Sequence, residues 1–179
     1  MKKKIEVFDY SKEILKGIKS GVLLTTKTDE KVNTMTISWG TMGIEWGKTI
    51  FTAYVRLNRF TKFQLDKNAE FTINVPYGEY DKKILGGCGS TSGHNIDKIK
   101  EYNLTLENPN TISVPGIKEL PLTLECKVLY SQLQDVSKLP QNLRDTYYPQ
   151  GVSGEHYGAN EDYHVMYYAE IVDAYIIEK

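Results

Sequence analysis

The stretch that decides the fold covers residues 33–61 and reads N-T-M-T-I-S-W-G-T-M-G-I-E-W-G-K-T-I-F-T-A-Y-V-R-L-N-R-F-T. Its first part alternates bulky side chains with small hydroxyls: Met35, Ile37 and Trp39 against Thr34, Thr36 and Ser38. Since successive side chains of a strand point to opposite faces, this alternation predicts one apolar face and one small polar face. After a glycine-punctuated loop, a second apolar run at 49–55 predicts another strand.

The second strand ends in four polar residues that could bind an anion: Arg56, Asn58, Arg59 and Thr61. We expect a helix at about 59–67 to begin here, with Asn58 as its N-cap. Helix-start amides, a hydroxyl and guanidinium groups together favour a phosphate dianion. The alternative is a capped surface helix with exposed arginines, and spacing alone favours that alternative.

The first strand also allows two interpretations. A face of Thr34, Thr36 and Ser38 would let a flat aromatic ring approach the backbone amides, but it could equally face solvent. Trp39 and Trp46 could flank such a ring, although tryptophans bury a large area in any core, and core packing is the default expectation for both.

Outside this stretch, the pattern predicts strands at 22–27, 70–75, 120–133 and 163–177 and helices at 11–19 and 95–102. Ser11 is expected to cap the first helix and Gly21 to end it. The polar turn at 28–31 predicts an antiparallel hairpin between its flanking strands. Residues 79–85 are expected to form a short polar segment before a glycine-rich stretch at 86–89, and a polar loop is expected before the last strand.

This order of elements predicts one mainly β domain over residues 1–179, an antiparallel β-barrel with a few attached helices. Strands and helices do not alternate regularly, so a doubly wound sheet is not expected. No G-x-G-x-x-G follows a strand and no G-x-x-x-x-G-K-[ST] occurs, so neither a dinucleotide fingerprint nor a P-loop is present.

Composition narrows the function classes. The 179 residues carry a net charge of -1, so no overall field favours nucleic acid or an anionic membrane. No apolar run approaches the roughly 20 residues that cross a bilayer, and the basic start at 1–4 is expected to be an ordinary cytoplasmic N-terminus rather than an export signal. Cys88 and Cys126 stand far apart and are expected to be reduced thiols. The histidines, His94, His156 and His164, have no metal-site spacing, so no metal is expected.

Four segments in order carry a family resemblance: N-T-M-T-I-S-W-G, Y-V-R-L-N-R-F-T, C-G-S-T-S-G-H-N-I-D-K and P-L-T-L-E-C-K-V. Together they resemble the flavin reductase-like family of FMN-binding split barrels, close to the flavoredoxin branch, over about residues 21–175. The resemblance implies a six-stranded antiparallel Greek-key-type split barrel. It also implies a homodimer with one FMN per subunit near the subunit interface.

The resemblance also assigns cofactor-binding residues. It places the flavin ring along Asn33, Thr34, Met35, Thr36 and Trp39, with main-chain groups bonding the ring. It places the phosphate and ribityl chain at Arg56, Asn58, Arg59 and Thr61. Ser92 and Gly93 match an S-G-R-D-x-D-K motif near the flavin or the partner subunit.

This chain departs from that motif at two positions. His94 replaces the arginine and Asn95 the aspartate, which removes a fixed charge and its opposite neighbour. A role for this loop in holding an anion or pairing across subunits is therefore in doubt. Asp97 and Lys98 are retained, and we expect them to be structural.

The resemblance implies an oxidoreductase that passes electrons from NAD(P)H through FMN to an acceptor. No side chain is nominated as catalytic, because the flavin carries the chemistry. One alternative is a flavoredoxin-like electron carrier that is reduced by a partner protein and has no NAD(P)H activity. Another is a binding module that holds haem, a pyridoxal-type phosphate or nothing.

Overall fold

The computed structural model describes residues 1–29, 31–152 and 161–178. Within these ranges the chain forms ten strands: β1 Lys2–Lys4, β2 Val22–Thr28, β3 Lys31–Ile37, β4 Gly40–Glu45, β5 Lys48–Arg56, β6 Glu70–Val75, β7 Leu106–Glu107, β8 Gly116–Ile117, β9 Leu122–Leu133 and β10 His164–Ile177. Five α-helices accompany them: α1 Ser11–Ser20, α2 Phe60–Leu65, α3 Lys82–Ser90, α4 Lys98–Glu101 and α5 Gln141–Tyr147. Short 3₁₀ helices occur at Val7–Tyr10 and Val136–Lys138.

Eight strands form one antiparallel sheet in the order β3-β2-β6-β9-β10-β5-β4, with β1 paired to the far end of β10. The mainly β prediction is confirmed, but the strand number is eight rather than six. Over the described residues the sheet is open, since its two edge strands β3 and β4 are not paired with each other. The free edge of β3 is important below, because an edge strand presents backbone groups that no neighbouring strand has bonded.

The predicted β2–β3 hairpin is confirmed, with Val22 opposite Ile37 and Thr28 opposite Lys31. The glycine-punctuated loop after it is in fact strand β4, which forms a second hairpin with β5. Its turn lies at Trp46 and Gly47, where φ is 52° and 68°. Two consecutive positive φ angles are typical of the tight type I′ hairpin turn. The expectation of core packing for Trp46 is wrong, because its side chain is 56% exposed at this turn.

Two predicted helix caps are also wrong. Ser11 is the first helical residue of α1 rather than its cap, although the helix does end at Gly21 as expected. Helix α2 begins one residue later than predicted, and Arg59 occupies its N-cap position without a side-chain cap bond. Asn58 instead uses its backbone N–H to bond Asp162 Oδ2 at 3.0 Å.

Helix α3 forms where a polar segment and a glycine-rich stretch were expected. Asp81 caps it by accepting from the Lys83 N–H at 2.9 Å. Its apolar residues Ile84, Leu85 and Cys88 are buried in a core cluster with Leu23, and this burial outweighs the low helix propensity of the glycines. Helix α4 is shorter than the predicted 95–102, and α5 occupies part of the predicted polar loop.

The main core lies between the curved sheet and α1, around fully buried side chains such as Phe51, Phe71 and Ile14. Cys88 and Cys126 are both buried free thiols. No helix in the described ranges is long and apolar enough to cross a membrane. Nor do the described residues contain a group of three or more His, Cys, Asp or Glu side chains that could hold a metal ion, and His156 lies outside them.

Candidate functional site: a cationic cavity at the sheet edge

A cavity of about 520 Å³, which we call the cationic cavity, lies between β3, the β5–α2 connection, the end of α3 and the segment that follows α3. Its size falls within the roughly 300–1,000 Å³ of small-molecule sites. Ten of the eleven sequence-predicted site residues line it: Asn33, Met35, Thr36, Trp39, Arg56, Asn58, Arg59, Thr61, Ser92 and Gly93. Residues separated by up to 60 positions in the sequence are thus brought to one surface.

Thr34, the eleventh predicted residue, is not part of the cavity wall. Its side chain is fully buried, accepting from Thr25 Oγ1 at 2.9 Å and donating to the Leu24 carbonyl at 3.3 Å. The predicted single polar face of Thr34, Thr36 and Ser38 therefore does not exist as one surface.

The cavity instead follows the free edge of β3. Five consecutive residues, 35–39, contribute to its wall, as expected when a cavity runs along a strand edge rather than across one face. Thr36 also connects β3 to the opposite wall of the cavity, because its hydroxyl donates to the Leu85 carbonyl of α3 at 2.6 Å. The backbone groups of this edge are available to a flat polar ligand.

Three cations line the cavity, Arg56, Arg59 and Lys98, and no carboxylate is among its described lining residues. Lys98 is only 3% exposed, and its Nζ donates to the Cys88 carbonyl at 2.8 Å. Burial, together with the nearby charge of Arg59, lowers the pKa of the Lys98 amine to about 8. A bound anion would favour the charged amine, so the cavity is electrostatically suited to a phosphate or a similar group.

The two arginines of the cavity differ in burial and in their partners. Arg56 is 7% exposed and donates to the Asp162 carbonyl at 2.6 Å and to the Tyr147 carbonyl at 3.0 Å. It also forms an ion pair with the Asp162 carboxylate at 3.7 Å. Arg59 is exposed at the rim of the cavity. Arg56 therefore anchors Tyr147 and Asp162, and Arg59 is the arginine better placed to meet a ligand.

Sequence reasoning missed His164, which lines the cavity at the first residue of β10. Its ring lies 4.8 Å from that of Trp39 at an interplanar angle of 34°. Tyr148 donates to Gln134 Oε1 at 2.6 Å and lies 2.8 Å from His164 Nδ1. Because the tyrosine proton goes to Gln134, His164 Nδ1 is the donor in the second bond. No pattern in the sequence points to His164, because the β5–β10 register that sets it opposite Arg56 is formed only in the folded sheet.

His164 should make the protein sensitive to acid. Burial, followed by the charges of Arg56 and Arg59, lowers the pKa of His164 from 6.5 to about 3. Between these values the unfolded chain binds a proton that the folded protein does not, so acidification favours unfolding. The free energy of unfolding is expected to fall by up to about 1.4 kcal/mol per pH unit below pH 6.5 from this residue. Urea unfolding near pH 7 and pH 5 tests this: His164→Gln should lose less stability than the wild type, and equal losses would contradict the assignment.

The segment after α3 closes the cavity by close packing. Gly93 is buried, and a Cβ at this position would overlap Asn33 Oδ1 and the ring of Phe60. Asn33 in turn donates from Nδ2 to Thr61 Oγ1 at 3.1 Å. Replacing Gly93 with a larger residue would therefore push apart the strand edge and the α2 start that form the site.

The substituted motif positions face outward. His94 is exposed, and its ring packs edge-on against Phe60 at 4.9 Å. Asn95 is also exposed, and neither residue lines the cationic cavity. Asp97 caps α4 by accepting from the Ile99 N–H at 3.1 Å, which is a structural role as expected, whereas Lys98 is both structural and part of the cavity wall.

The fold and the site together define a class: a mainly antiparallel β protein with an anion-suited cavity along a free sheet edge. Residues 15–179 match the flavin reductase like domain family. The chain belongs to that family. An uncharacterized protein from Archaeoglobus fulgidus is 30% identical over 100 residues, covering 56% of this chain and 55% of that relative, so the chain matches about half of the relative's length.

Two solved structures share the fold. The flavoredoxin from Methanosarcina acetivorans is 23% identical with a TM-score of 0.63, over 88% of this chain and 68% of that one. An FMN-binding domain of a flavin reductases-like enzyme from Shewanella baltica OS155 is 15% identical with a TM-score of 0.66, over 98% of this chain and 77% of that one. The predicted split-barrel class is thereby confirmed, with the open eight-stranded sheet described above.

Proposed function

We propose that this protein is an FMN-binding oxidoreductase of flavin reductase type, which passes electrons from NAD(P)H through flavin to an acceptor. The observation that carries the proposal is the cationic cavity itself, in which three cations and no carboxylate meet a free strand edge within the described residues. FMN combines a dianionic phosphate, a polar chain and a flat ring with a hydrogen-bonding edge. Each part finds matching chemistry in this cavity.

The phosphate fits the part of the wall formed by Arg59, Thr61 and Ser92, whose guanidinium and hydroxyl groups can donate hydrogen bonds. Lys98 adds a buried positive charge, and its pKa near 8 leaves it largely protonated at neutral pH before any anion binds. This set of donors is the physical reason for favouring a phosphate ester over a neutral ligand.

The ring fits the edge of β3. Alternate residues of an antiparallel edge strand turn their backbone groups away from the neighbouring strand. The N–H groups of residues 35–39 that do not face β2 can therefore donate to ring carbonyl and nitrogen atoms, and fixed donors of this kind stabilise negative charge that develops on a bound group. When bound, FMN supplies the chemistry of hydride acceptance and electron release. Trp39 and His164 form the wall at this end, and their mutual stacking and the Tyr148 bond hold both rings in place. No side chain is assigned a catalytic proton transfer.

The test is an anaerobic titration of the FMN-loaded protein with NADH and NADPH. We expect the visible absorbance of bound oxidised flavin to be bleached by at least one of them. Bleaching by a reduced iron–sulfur protein but by neither nicotinamide would support the flavoredoxin-like carrier instead. Failure to bind FMN at micromolar flavin would end both proposals and leave the binding-module alternative, which an absorption spectrum of the purified protein identifies.

We also propose that the protein is a cytoplasmic homodimer. Three apolar side chains of β9 are exposed: Leu129, Tyr130 and Leu133, each 45–49% exposed. Tyr130 packs on Tyr168 of β10 with ring centroids 5.6 Å apart. A second copy of the chain would cover exposed side chains of this strand, and two buried free thiols suit a reducing compartment. Light scattering should give twice the 20.4 kDa chain mass, and cell fractionation tests the compartment.

A further inference from the structure

A second cavity of about 640 Å³ lies between α2, the β2–β3 turn and α4, and we call it the phenylalanine cavity. Its main wall consists of Phe60 and Phe63, whose rings are stacked with centroids 5.8 Å apart and an interplanar angle of 27°. Phe63 is 47% exposed, so part of this aromatic surface is open to a ligand. The remaining apolar wall comes from Val32, Ile99 and Leu106.

Lysines surround this aromatic wall. Lys31 Nζ lies 4.3 Å from the Phe60 ring centroid and Lys67 Nζ lies 4.4 Å from that of Phe63. Such contacts are weak at exposed sites and the lysine stem is flexible, so the Lys67 amine can move to an incoming phosphate. The cavity therefore combines a flat apolar surface with mobile positive charge.

Among the described lining residues, Asp29 and Asp97 carry carboxylates, and Asp97 is already engaged. Asp97 caps α4 and lies 3.4 Å from Lys100 Nζ. Asp29 is exposed at the hairpin turn. A carboxylate beside an aromatic slot can accept from an amino group or a sugar hydroxyl.

The two cavities share a wall. Phe60 lines both of them. Lys31 of the phenylalanine cavity donates to the carbonyl of Gly93, a residue of the cationic cavity, at 2.9 Å. Arg59, which immediately precedes Phe60, lines the cationic cavity. A ligand with a phosphate beside Arg59 could therefore extend past Phe60 into the phenylalanine cavity.

We propose that the phenylalanine cavity binds an adenylate group, with the purine on Phe63 and the phosphate beside Lys67. This inference rests on the proposed function, because FAD and NAD(P)H carry an adenylate group and FMN does not. The flat base suits the aromatic wall, because any base can stack on phenylalanine, whatever hydrogen-bonding groups it carries. The lysines and Asp29 supply the partners for phosphate and for the amino or hydroxyl donors.

The test compares FMN, FAD and AMP binding by calorimetry in the wild type and in Phe63→Ala. We expect Phe63→Ala to weaken AMP binding about tenfold, together with the binding of whichever of FAD and NADH supplies the adenylate group, while FMN affinity stays within about twofold. The matched control is Phe8→Ala, which removes an equally exposed ring, 54% exposed, outside both cavities. This control should leave all of these affinities unchanged.

Two further measurements show whether the adenylate group belongs to the flavin or to the nicotinamide cofactor. If AMP competes with FAD but not with NADH in the FMN-loaded protein, the cavity binds the adenylate group of the flavin. If AMP competes with NADH but not with FAD, the cavity binds the adenylate group of the nicotinamide cofactor. FMN binding with no effect of Phe63→Ala on FAD, AMP or NADH would overturn this inference alone. Absence of any flavin binding by the wild type would overturn the proposed function as well.

Discussion

Replacing Arg56 with alanine is expected to lower the free energy of unfolding by about 3–5 kcal/mol. The side chains of Arg56 and Asp162 are 8% and 9% exposed, and they form an ion pair at 3.7 Å. Removing the arginine leaves the Asp162 carboxylate buried without its charged partner, and it also removes the bonds to the carbonyls of Asp162 and Tyr147. Leaving one charge of a buried pair uncompensated is among the more destabilising single changes.

Urea unfolding of the protein without flavin measures this effect. Arg59→Ala is the matched control, because it removes the same side chain from an exposed position three residues away and should change stability by less than about 0.5 kcal/mol. A second variant, Asp162→Asn, should recover part of the loss when combined with Arg56→Ala, because the amide needs no charged partner. If Arg56→Ala were as stable as Arg59→Ala, the anchoring role would be wrong.

Replacing both Arg59 and Thr61 with alanine is expected to weaken FMN binding by roughly 150- to 25,000-fold. The estimate takes about 1.5–3 kcal/mol for each hydrogen bond to a charged phosphate. Thr61 is 1% exposed and accepts from Asn33, so its hydroxyl proton is available to a ligand in the cavity. Arg59 supplies the exposed guanidinium at the same rim.

Riboflavin distinguishes a phosphate contact from general damage to the site, because it lacks the phosphate. The double variant should bind riboflavin nearly as well as the wild type does. Arg59→Ala combined with Thr61→Ser, which keeps the hydroxyl, should lose less FMN affinity than the double alanine variant. Lys16→Ala, which removes an exposed charge from α1, serves as the charge-matched control. Equal losses for FMN and riboflavin would show that the phosphate binds elsewhere.

Much of the fold was predictable because it depends on local pattern. The alternation on either side of the turn at 28–31 indicated the β2–β3 hairpin, and it is present in register from Val22 and Ile37 to Thr28 and Lys31. Helix α3 and strand β4 were missed for one reason: both contain glycines, which local propensity assigns to loops. In the folded protein, burial of Ile84, Leu85 and Cys88 and the tight turn at Trp46 outweigh that preference.

The candidate site shows the same division. The order of the four sequence segments was enough to indicate the residues that line the cationic cavity, although Thr34 is turned into the sheet. The sequence did not distinguish the roles of Arg56 and Arg59, because both are arginines in the same short segment. Nor did it indicate His164 or the aromatic wall of Phe60 and Phe63.

The sequence by itself therefore determined the mainly β class, the hairpin, the family and the chemical character of the cavity wall. These properties follow from periodicity and from the types of side chain in successive segments. Only the tertiary structure decided which arginine is an anchor, because the Asp162 carboxylate that engages Arg56 lies 106 residues away and reaches it through the pairing of β5 with β10. Strand register sets such distant contacts, and register depends on how the whole sheet packs rather than on any one segment.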